Sequence, residues 1–411
     1  MKVVVVGSGG REHALAEVLA RTADVVVTPG NPGIPGSVAT PAEELVADGS
    51  VDLVVVGPEQ PLVDGLADRL RGAGVAVFGP GADGAQVEGS KAYMKDLTLA
   101  AGLPTARYAS FTTVGPALDF LDALPGSYVV KTDGLAAGKG VLVTSSLPEA
   151  AADVRHKLSG SSFGEAGRRI VIEEAMVGPE VSVFAICDGT RTVCLPAAQD
   201  FKRVGDGDTG PNTGGMGAWS PLPFVDAGFA DDVARRFVEP TLATLRQRGI
   251  DYRGVLYAGF MVTPEGPKLI EYNIRFGDPD SQVVLLRMTS DLADLLAAAA
   301  HGDLRTAPAP TFAADTTAVL VVAASEGYPV APRTGDVIEG LEAARAMDGV
   351  TVLSAGVGAD AHGHLVTAGG RVLDVVGSGP DVATARARAY GAIGQLKWPG
   401  LHHRTDIAAG V

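Results

Sequence analysis

The sequence predicts an α/β protein. It begins with a doubly wound parallel sheet, continues through a central α+β unit and ends in a small β-rich unit closed by a helix. Three observations predict this. Short β-branched runs alternate with helical patterns over roughly the first hundred residues. The pattern turns mixed after Gly102-Leu-Pro104. A linker-like Ala307-Pro-Ala-Pro310 then precedes a third group of strands. With 411 residues the chain exceeds what one core usually holds. Three domains are expected, at 1–103, 104–308 and 313–411.

In the first domain, residues 3–6, 25–27, 53–56 and 75–78 read as strands, and 11–21, 61–71 and 90–101 as helices. A ligand crevice should lie at the carboxyl ends of these strands. There the chain carries Gly7–Arg11, Pro29–Gly33, Gly57–Glu59 and Gly79–Gly81. In the second, residues 128–131, 141–144, 170–174 and 181–187 read as strands, and 151–158 and 231–248 as helices. The stretch 200–223 is long and rich in Gly, Asp and Pro, as functional loops are. In the third, residues 317–323, 351–355 and 371–376 read as strands and 381–396 as the closing helix.

Hydrophobic residues make up 46% of the chain and charged residues 20%, which is ordinary for a soluble protein. The net charge of −15 argues against a nucleic-acid partner or an anionic membrane surface. No segment is long enough to span a membrane, and the apolar run at 3–6 is too short for a signal peptide. Cys187 and Cys194 are the only cysteines, both in apolar segments. They read as buried structural thiols in a reducing cytoplasm.

The chemistry starts from Glu271 and Asn273, in Leu269-Ile-Glu-Tyr-Asn-Ile-Arg-Phe-Gly-Asp-Pro279. Strand alternation puts Glu271, Asn273 and Arg275 on one face and Ile270, Tyr272 and Ile274 on the other. Two hard oxygen ligands suit Mg²⁺ shared with nucleotide phosphates, and Arg275 suits an anionic co-substrate. The plain alternative is a solvated polar face. Gly7-Ser-Gly-Gly-Arg-Glu12 follows a strand and opens a helix, where N–H groups can hold a phosphate. The favoured ligand is a phosphorylated sugar, and the plain alternative is a tight strand-to-helix turn. Glu12 replaces the third glycine of a dinucleotide fingerprint, and no acid follows the second strand. Glu59 would accept from a ribose hydroxyl or amine. Lys131-Thr-Asp-Gly-Leu-Ala-Ala-Gly-Lys-Gly140 fails the P-loop spacing and leads into a strand. It reads as a hairpin loop, with Lys131 and Lys139, able to fold over a triphosphate. Glu174 and Glu180 stand where a strand end could read adenine and ribose. Asn212-Thr-Gly-Gly-Met-Gly217 offers successive N–H groups for an anion nest.

Together these segments resemble the glycinamide ribonucleotide synthetases, ATP-grasp ligases of purine biosynthesis. The resemblance runs nearly end to end. It is carried by Gly7-Ser-Gly-Gly-Arg-Glu-His-Ala14, Val56-Gly-Pro-Glu59, Glu88-Gly-Ser-Lys91, the 131–140 loop, Gln199-Asp-Phe-Lys-Arg-Val-Gly205, Asp208-Thr-Gly-Pro-Asn-Thr-Gly-Gly-Met-Gly217 and Arg275-Phe-Gly-Asp-Pro279. It implies a two-lobed ATP-grasp centre, with a small lobe at about 107–187, and a C-terminal domain closing over the N-terminal crevice. It implies ATP as co-substrate, Mg²⁺ or Mn²⁺, glycine and 5-phosphoribosylamine as substrates, and a monomer. ATP contacts are implied at Lys91, Lys131, Gly138, Lys139, Gly140, Glu173, Glu174 and Glu180, and metal ligation at Glu271 and Asn273. Catalytic roles fall to Lys131, Arg275 and Asp278. Substrate contacts fall to Gly9, Gly10, Arg11, Glu12, Glu59, Asp208, Asn212, Thr213, Gly214, Gly215, Met216, Arg275, Gly277 and Asp278. Arg371, beside two glycines, would bind the 5′-phosphate; its alternative is a surface arginine at a turn. A nicotinamide oxidoreductase, a non-catalytic nucleotide sensor and a related ligase for another phosphoribosyl amine or carboxylate are the competing readings.

Overall fold

The structure is a computed structural model, and it describes residues 1–134, 140–160, 168–226 and 228–411. The first sheet is parallel, in the order Asp24–Pro29, Lys2–Gly7, Leu53–Val56, Ala76–Phe78. Its central strands, Lys2–Gly7 and Leu53–Val56, are almost wholly buried valine and leucine, as helices on both faces require. The helix expected at 61–71 is two helices, Glu59–Val63 and Leu66–Gly72. Gly65 separates them with φ of 76°, a left-handed turn that only glycine takes readily.

Two antiparallel four-stranded sheets form the centre. One runs Tyr108–Phe111, Ile170–Glu174, Tyr128–Thr132, Val141–Thr144 and carries the helices Val114–Asp122 and Leu147–Leu158. It has a small core of its own, built on Leu121, Val130, Val154 and Ile172. The other runs Thr192–Cys194, Glu180–Asp188, Arg253–Thr263, Gly266–Asn273. The helix expected at 231–248 is continuous but widens to a π turn over Ala234–Val238. Pro240 has no N–H to close the ordinary helical bond there.

The third sheet has five strands, ordered Gln199–Asp200, Gly217–Ser220, Thr317–Ala324, Arg371–Gly379, Val350–Ser354. The helix Val382–Ile393 packs on it. Two of its strands come from the stretch 200–223 expected as loop, and that stretch also forms the hairpin Arg203–Gly205 and Thr209–Asn212. Glycine-rich segments carry little strand propensity, so pairing makes them strands: Gly217–Ser220 on Thr317–Ala324, Gln199–Asp200 on Gly217–Ser220, and the hairpin on itself. The C-terminal unit docks on the first domain through buried polar contacts. His13 Nδ1 accepts from the Ser354 N–H at 2.7 Å, and Asn31 donates to the Ala355 carbonyl at 3.0 Å. Among the described residues, no helix is long and apolar enough to cross a membrane. Both cysteines are free; burial pushes the Cys194 thiol up to about 12 and Cys187 higher still.

Candidate active site

One cleft of about 800 Å³ opens where the three sheets converge. Its floor is the strand Gly266–Asn273. Gly259 pairs with Glu271 and Phe260 with Leu269, so Ile270 is the extra residue of a β-bulge. The bulge corrects the expected alternation. Leu269 and Tyr272 are the buried residues, while Ile270 joins Glu271 and Asn273 in lining the cleft. Glu271 faces a ring of cations. Burial would raise its carboxyl, but Lys131, Lys91, Lys202 and Arg275 outweigh that and hold it below the usual range.

The lysine wall comes from the strand Tyr128–Thr132 and the helix Lys91–Ala100. Lys131 is the penultimate residue of the strand Tyr128–Thr132 and pairs with Glu173 Oε1 at 2.9 Å. Glu173 Oε2 pairs with Lys95 at 3.1 Å. Glu173 therefore supports the lysines rather than presenting a free carboxylate at the strand end. Burial lowers the Lys95 ammonium to about 8, against the pull of Glu173. Lys91 donates to the Gly134 carbonyl at 3.1 Å. Ser90 caps its helix, and Asp133 accepts from both Ser90 and Ala92, tying that helix end to the glycine-rich loop. Gly140 lines the cleft, whereas Gly138 and Lys139 lie outside the described residues. Glu174 and Glu180 line it too; Glu174 accepts from the Arg107 N–H at 3.0 Å, and Glu180 approaches Lys202 at 3.4 Å.

At the opposite wall Arg275 is already engaged. It donates to Glu88 Oε1 at 2.9 Å and to Glu59 Oε2 at 3.3 Å. A free bidentate clamp, as expected from sequence, is not what its environment provides. Glu88 also accepts from the Ile274 N–H at 2.8 Å. Asp278 pairs with Arg371 at 2.9 Å, and Arg371 also donates to the carbonyls of Gly214 and Asp278. Burial opposes ionisation of Asp278, but Arg371 and Arg11 hold its carboxyl below the usual range. Behind it Gln282 donates to both Asp278 Oδ1 at 2.9 Å and Asp374 Oδ2 at 3.1 Å. Burial, then the charge of Asp278, pushes the Asp374 carboxyl up to about 7.

The glycine-rich turns differ from expectation. The Gly9 N–H donates to Glu12 Oε2 at 2.7 Å, and Arg11 is pinned to Glu12 Oε1 at 2.6 Å and to the Phe276 carbonyl. A side chain on Gly57 would meet Glu12 at 2.0 Å, and one on Gly10 would meet Asp374 at 1.9 Å. These glycines make room for carboxylates that fold over the turn. Arg11 and Glu59 line the cleft, but Gly9, Gly10 and Glu12 do not. Asn212, Thr213 and Gly214 also line it, while Gly215, Met216 and Gly277 do not. The expected anion nest is not formed. Thr213 N–H donates to the Lys202 carbonyl, Gly214 to Tyr328 Oη, Gly215 to Thr213 Oγ1 and Met216 to the Phe201 carbonyl. Asp208 is not brought to the cleft: it sits in the hairpin turn, paired with Arg404 at 2.6 Å. Lys95, Glu88, Lys202, Asp280 and Tyr328 were missed from sequence. Only Lys95 had a readable signal, four residues after Lys91 and so on the same helix face.

Comparison with known proteins agrees with this arrangement. Family models of phosphoribosylglycinamide synthetase match in three consecutive pieces: the N domain at 1–88, the ATP-grasp (A) domain at 89–281 and the C domain at 318–410. A phosphoribosylamine–glycine ligase of Caulobacter vibrioides is 47% identical over 419 residues, covering 99% of this chain and 97% of the relative. The crystal structure of the Thermotoga maritima phosphoribosylamine–glycine ligase superposes with a TM-score of 0.85 at 33% identity, covering 99% of this chain and all of that one. A Campylobacter jejuni biotin carboxylase shares the fold alone, with a TM-score of 0.72 at 14% identity over 98% of this chain and 92% of that one. With a buried lysine wall facing Glu271 and Asn273, and all three family models matched in order, the chain belongs to the phosphoribosylglycinamide synthetase family.

Proposed function

We propose that this protein is an ATP-dependent ligase that joins glycine to 5-phosphoribosylamine in purine biosynthesis, giving glycinamide ribonucleotide, ADP and phosphate. The observation that carries the reading is the facing of Glu271 and Asn273 by Lys131 and Lys91 within one cleft, in a chain of this family. A glycine carboxylate oxygen bonds to the γ-phosphorus of ATP as the bond to ADP breaks, and ADP leaves with the electron pair. The amine of phosphoribosylamine then attacks the acyl carbon of glycyl phosphate. The carbon–oxygen bond breaks, phosphate leaves, and the amine surrenders a proton.

Bringing anions together is the main barrier, so charge neutralisation is the main task. Lys131 stays charged because Glu173 and Glu271 outweigh its burial. It and Lys91 would neutralise the phosphates. Glu271 and Asn273 fit Mg²⁺ or Mn²⁺ by their hard oxygens and by the cation-stabilised charge on Glu271. Among the described residues no group of three or more His, Cys, Asp or Glu could hold a metal unaided, so phosphate oxygens would complete the shell. The metal, when bound, supplies further charge neutralisation at the transferring phosphoryl group. Asp278, whose carboxyl Arg371 and Arg11 hold below the usual range, would take the amine proton. Arg275 organises the site by joining Glu59 to Glu88.

The test is ADP release with ATP, Mg²⁺, phosphoribosylamine and a panel of small amino acids. Turnover that needs both phosphoribosylamine and glycine is expected. ADP release independent of either, or faster with another carboxylate, would overturn the reading.

A further inference from the structure

We propose that Asp374 is a positioning residue for the ligase reaction: through Gln282 it orients Asp278, and its charge sets how strongly Asp278 draws the proton from the amine. This deepens the ligase reading and rests on it. Asp374 lies in the strand Arg371–Gly379, which is paired along both edges, and it is fully buried. Its neighbours Val372, Leu373, Val375 and Val376 are buried and apolar. A carboxyl group in such a strand costs stability, and its second oxygen, Oδ1, has no hydrogen-bond partner at all. Native structures seldom keep such a group without a use.

A bulge decides where Asp374 points. Asp374 pairs with Val322, Leu373 with Ala323 and Arg371 with Ala324, so Val372 is the extra residue. Arg371 and Asp374, three apart in sequence, thereby turn to the same side of the sheet. Arg371 takes Asp278 Oδ2 at 2.9 Å. Gln282, itself fully buried, donates from one amide nitrogen to Asp278 Oδ1 at 2.9 Å and to Asp374 Oδ2 at 3.1 Å. Both oxygens of Asp278 are thus fixed, one by an arginine and one by an amide that Asp374 holds in turn.

The charges that face Asp374 are few. Asp278 comes from the turn before the helix Asp280–Leu285, Glu12 from the helix Gly10–Leu19 and Arg371 from its own strand. The flanking strands Thr317–Ala324 and Val350–Ser354 carry no charged residue. Arg371 is already paired with Asp278. Burial and Asp278 therefore push the Asp374 carboxyl up to about 7, so its charge changes near neutral pH. The coupling runs both ways. With Asp374 neutral, Arg371 and Arg11 act on Asp278 unopposed and make it a weak base. With Asp374 ionised, its negative charge favours the protonated form of Asp278. The N–H proton of the attacking amine then moves more readily to the Asp278 carboxylate, which becomes the neutral acid as the amide forms.

The experiment measures kcat/KM for phosphoribosylamine on the full chain, with saturating ATP, Mg²⁺ and glycine, from about pH 6 to about pH 8.5. The wild-type value is divided by that of Asp374→Asn at each pH, which cancels the titration of the substrate amine. The ratio should be about one at the acid end. It should climb to about threefold to tenfold at the alkaline end, the size of a one-unit change in base strength felt through partial proton transfer. KM for ATP should stay within about twofold at both ends. The variant should thus be slower than wild type at alkaline pH although its fold is no weaker there, a combination that a merely structural role does not produce. A ratio that is constant across pH, whatever its size, overturns the coupling while leaving the ligase reading intact. Asp374→Ser, also neutral, is read the same way if Asp374→Asn does not fold. Gln282→Met keeps the bulk of the side chain and removes the bridge, so it should lower kcat at every pH; wild-type kcat in that variant overturns the orienting role. A wild type that makes no amide from glycine and phosphoribosylamine overturns the ligase reading first, and the role of Asp374 with it.

Discussion

Lys131 meets Glu173 at 2.9 Å in a buried setting, and the second oxygen of the same carboxylate holds Lys95 at 3.1 Å. One acid thus aims the cleft-lining Lys131 and neutralises a second lysine, Lys95. Glu173→Gln would leave two buried ammonium groups around one amide. Breaking a buried pair costs about 3–5 kcal/mol. A clear fall in Tm and a raised KM for ATP are expected, read by calorimetry and steady-state kinetics. Both values at wild-type level would make the bridge irrelevant.

Glu271→Gln removes one negative ligand and is nearly isosteric. It should leave Tm close to wild type and abolish most Mg²⁺-dependent turnover, with partial recovery as Mg²⁺ is raised. If kcat stays within about twofold of wild type at ordinary Mg²⁺, the metal assignment is wrong.

Arg371 straps the third sheet to Gly214 and Asp278. If it also reaches the 5′-phosphate of phosphoribosylamine, Arg371→Ala should raise KM for that substrate by roughly tenfold to a hundredfold. Because Asp278 loses its counter-charge, kcat should fall too, and KM for ATP should barely move. Arg371→Lys cannot span both partners and should recover only part of the loss. Kinetics in which neither KM nor kcat changes would return Arg371 to a purely structural role.

Asp374 makes stability depend on pH. Its carboxyl is raised to about 7, above the range of an ordinary aspartate, by burial and by Asp278. The folded protein therefore binds a proton that the unfolded chain has released. The stability this contributes is full below about pH 4 and is lost as pH rises through about 7. Asp374→Asn imitates the protonated form. It should raise Tm at pH 8, by roughly 2 °C or more, and change it little at about pH 4. A Tm difference that is equal at both pH values would show that Asp374 does not titrate there.

The sequence by itself determined the class of fold and singled out Glu271, Asn273 and Lys131 as candidates for one site. These are local matters. The valine runs of Lys2–Gly7 and Leu53–Val56, the Glu271–Asn273 spacing and the glycines around Lys131 each carry their meaning within a few residues. Tertiary structure alone decided which of these groups are free to act. Arg275 looked like a carboxylate clamp until Glu59 and Glu88, distant in sequence, took up its guanidinium. The segment Asn212–Gly217 looked like an anion nest until its N–H groups found partners as far off as Tyr328. Asp280 carried no signal in the sequence, yet the fold buries it and leaves one of its oxygens without a hydrogen-bond partner. Hydrogen-bond capacity and charge are spent between residues far apart in the chain, so the remaining capacity of a group is a property of the folded molecule and not of its local sequence.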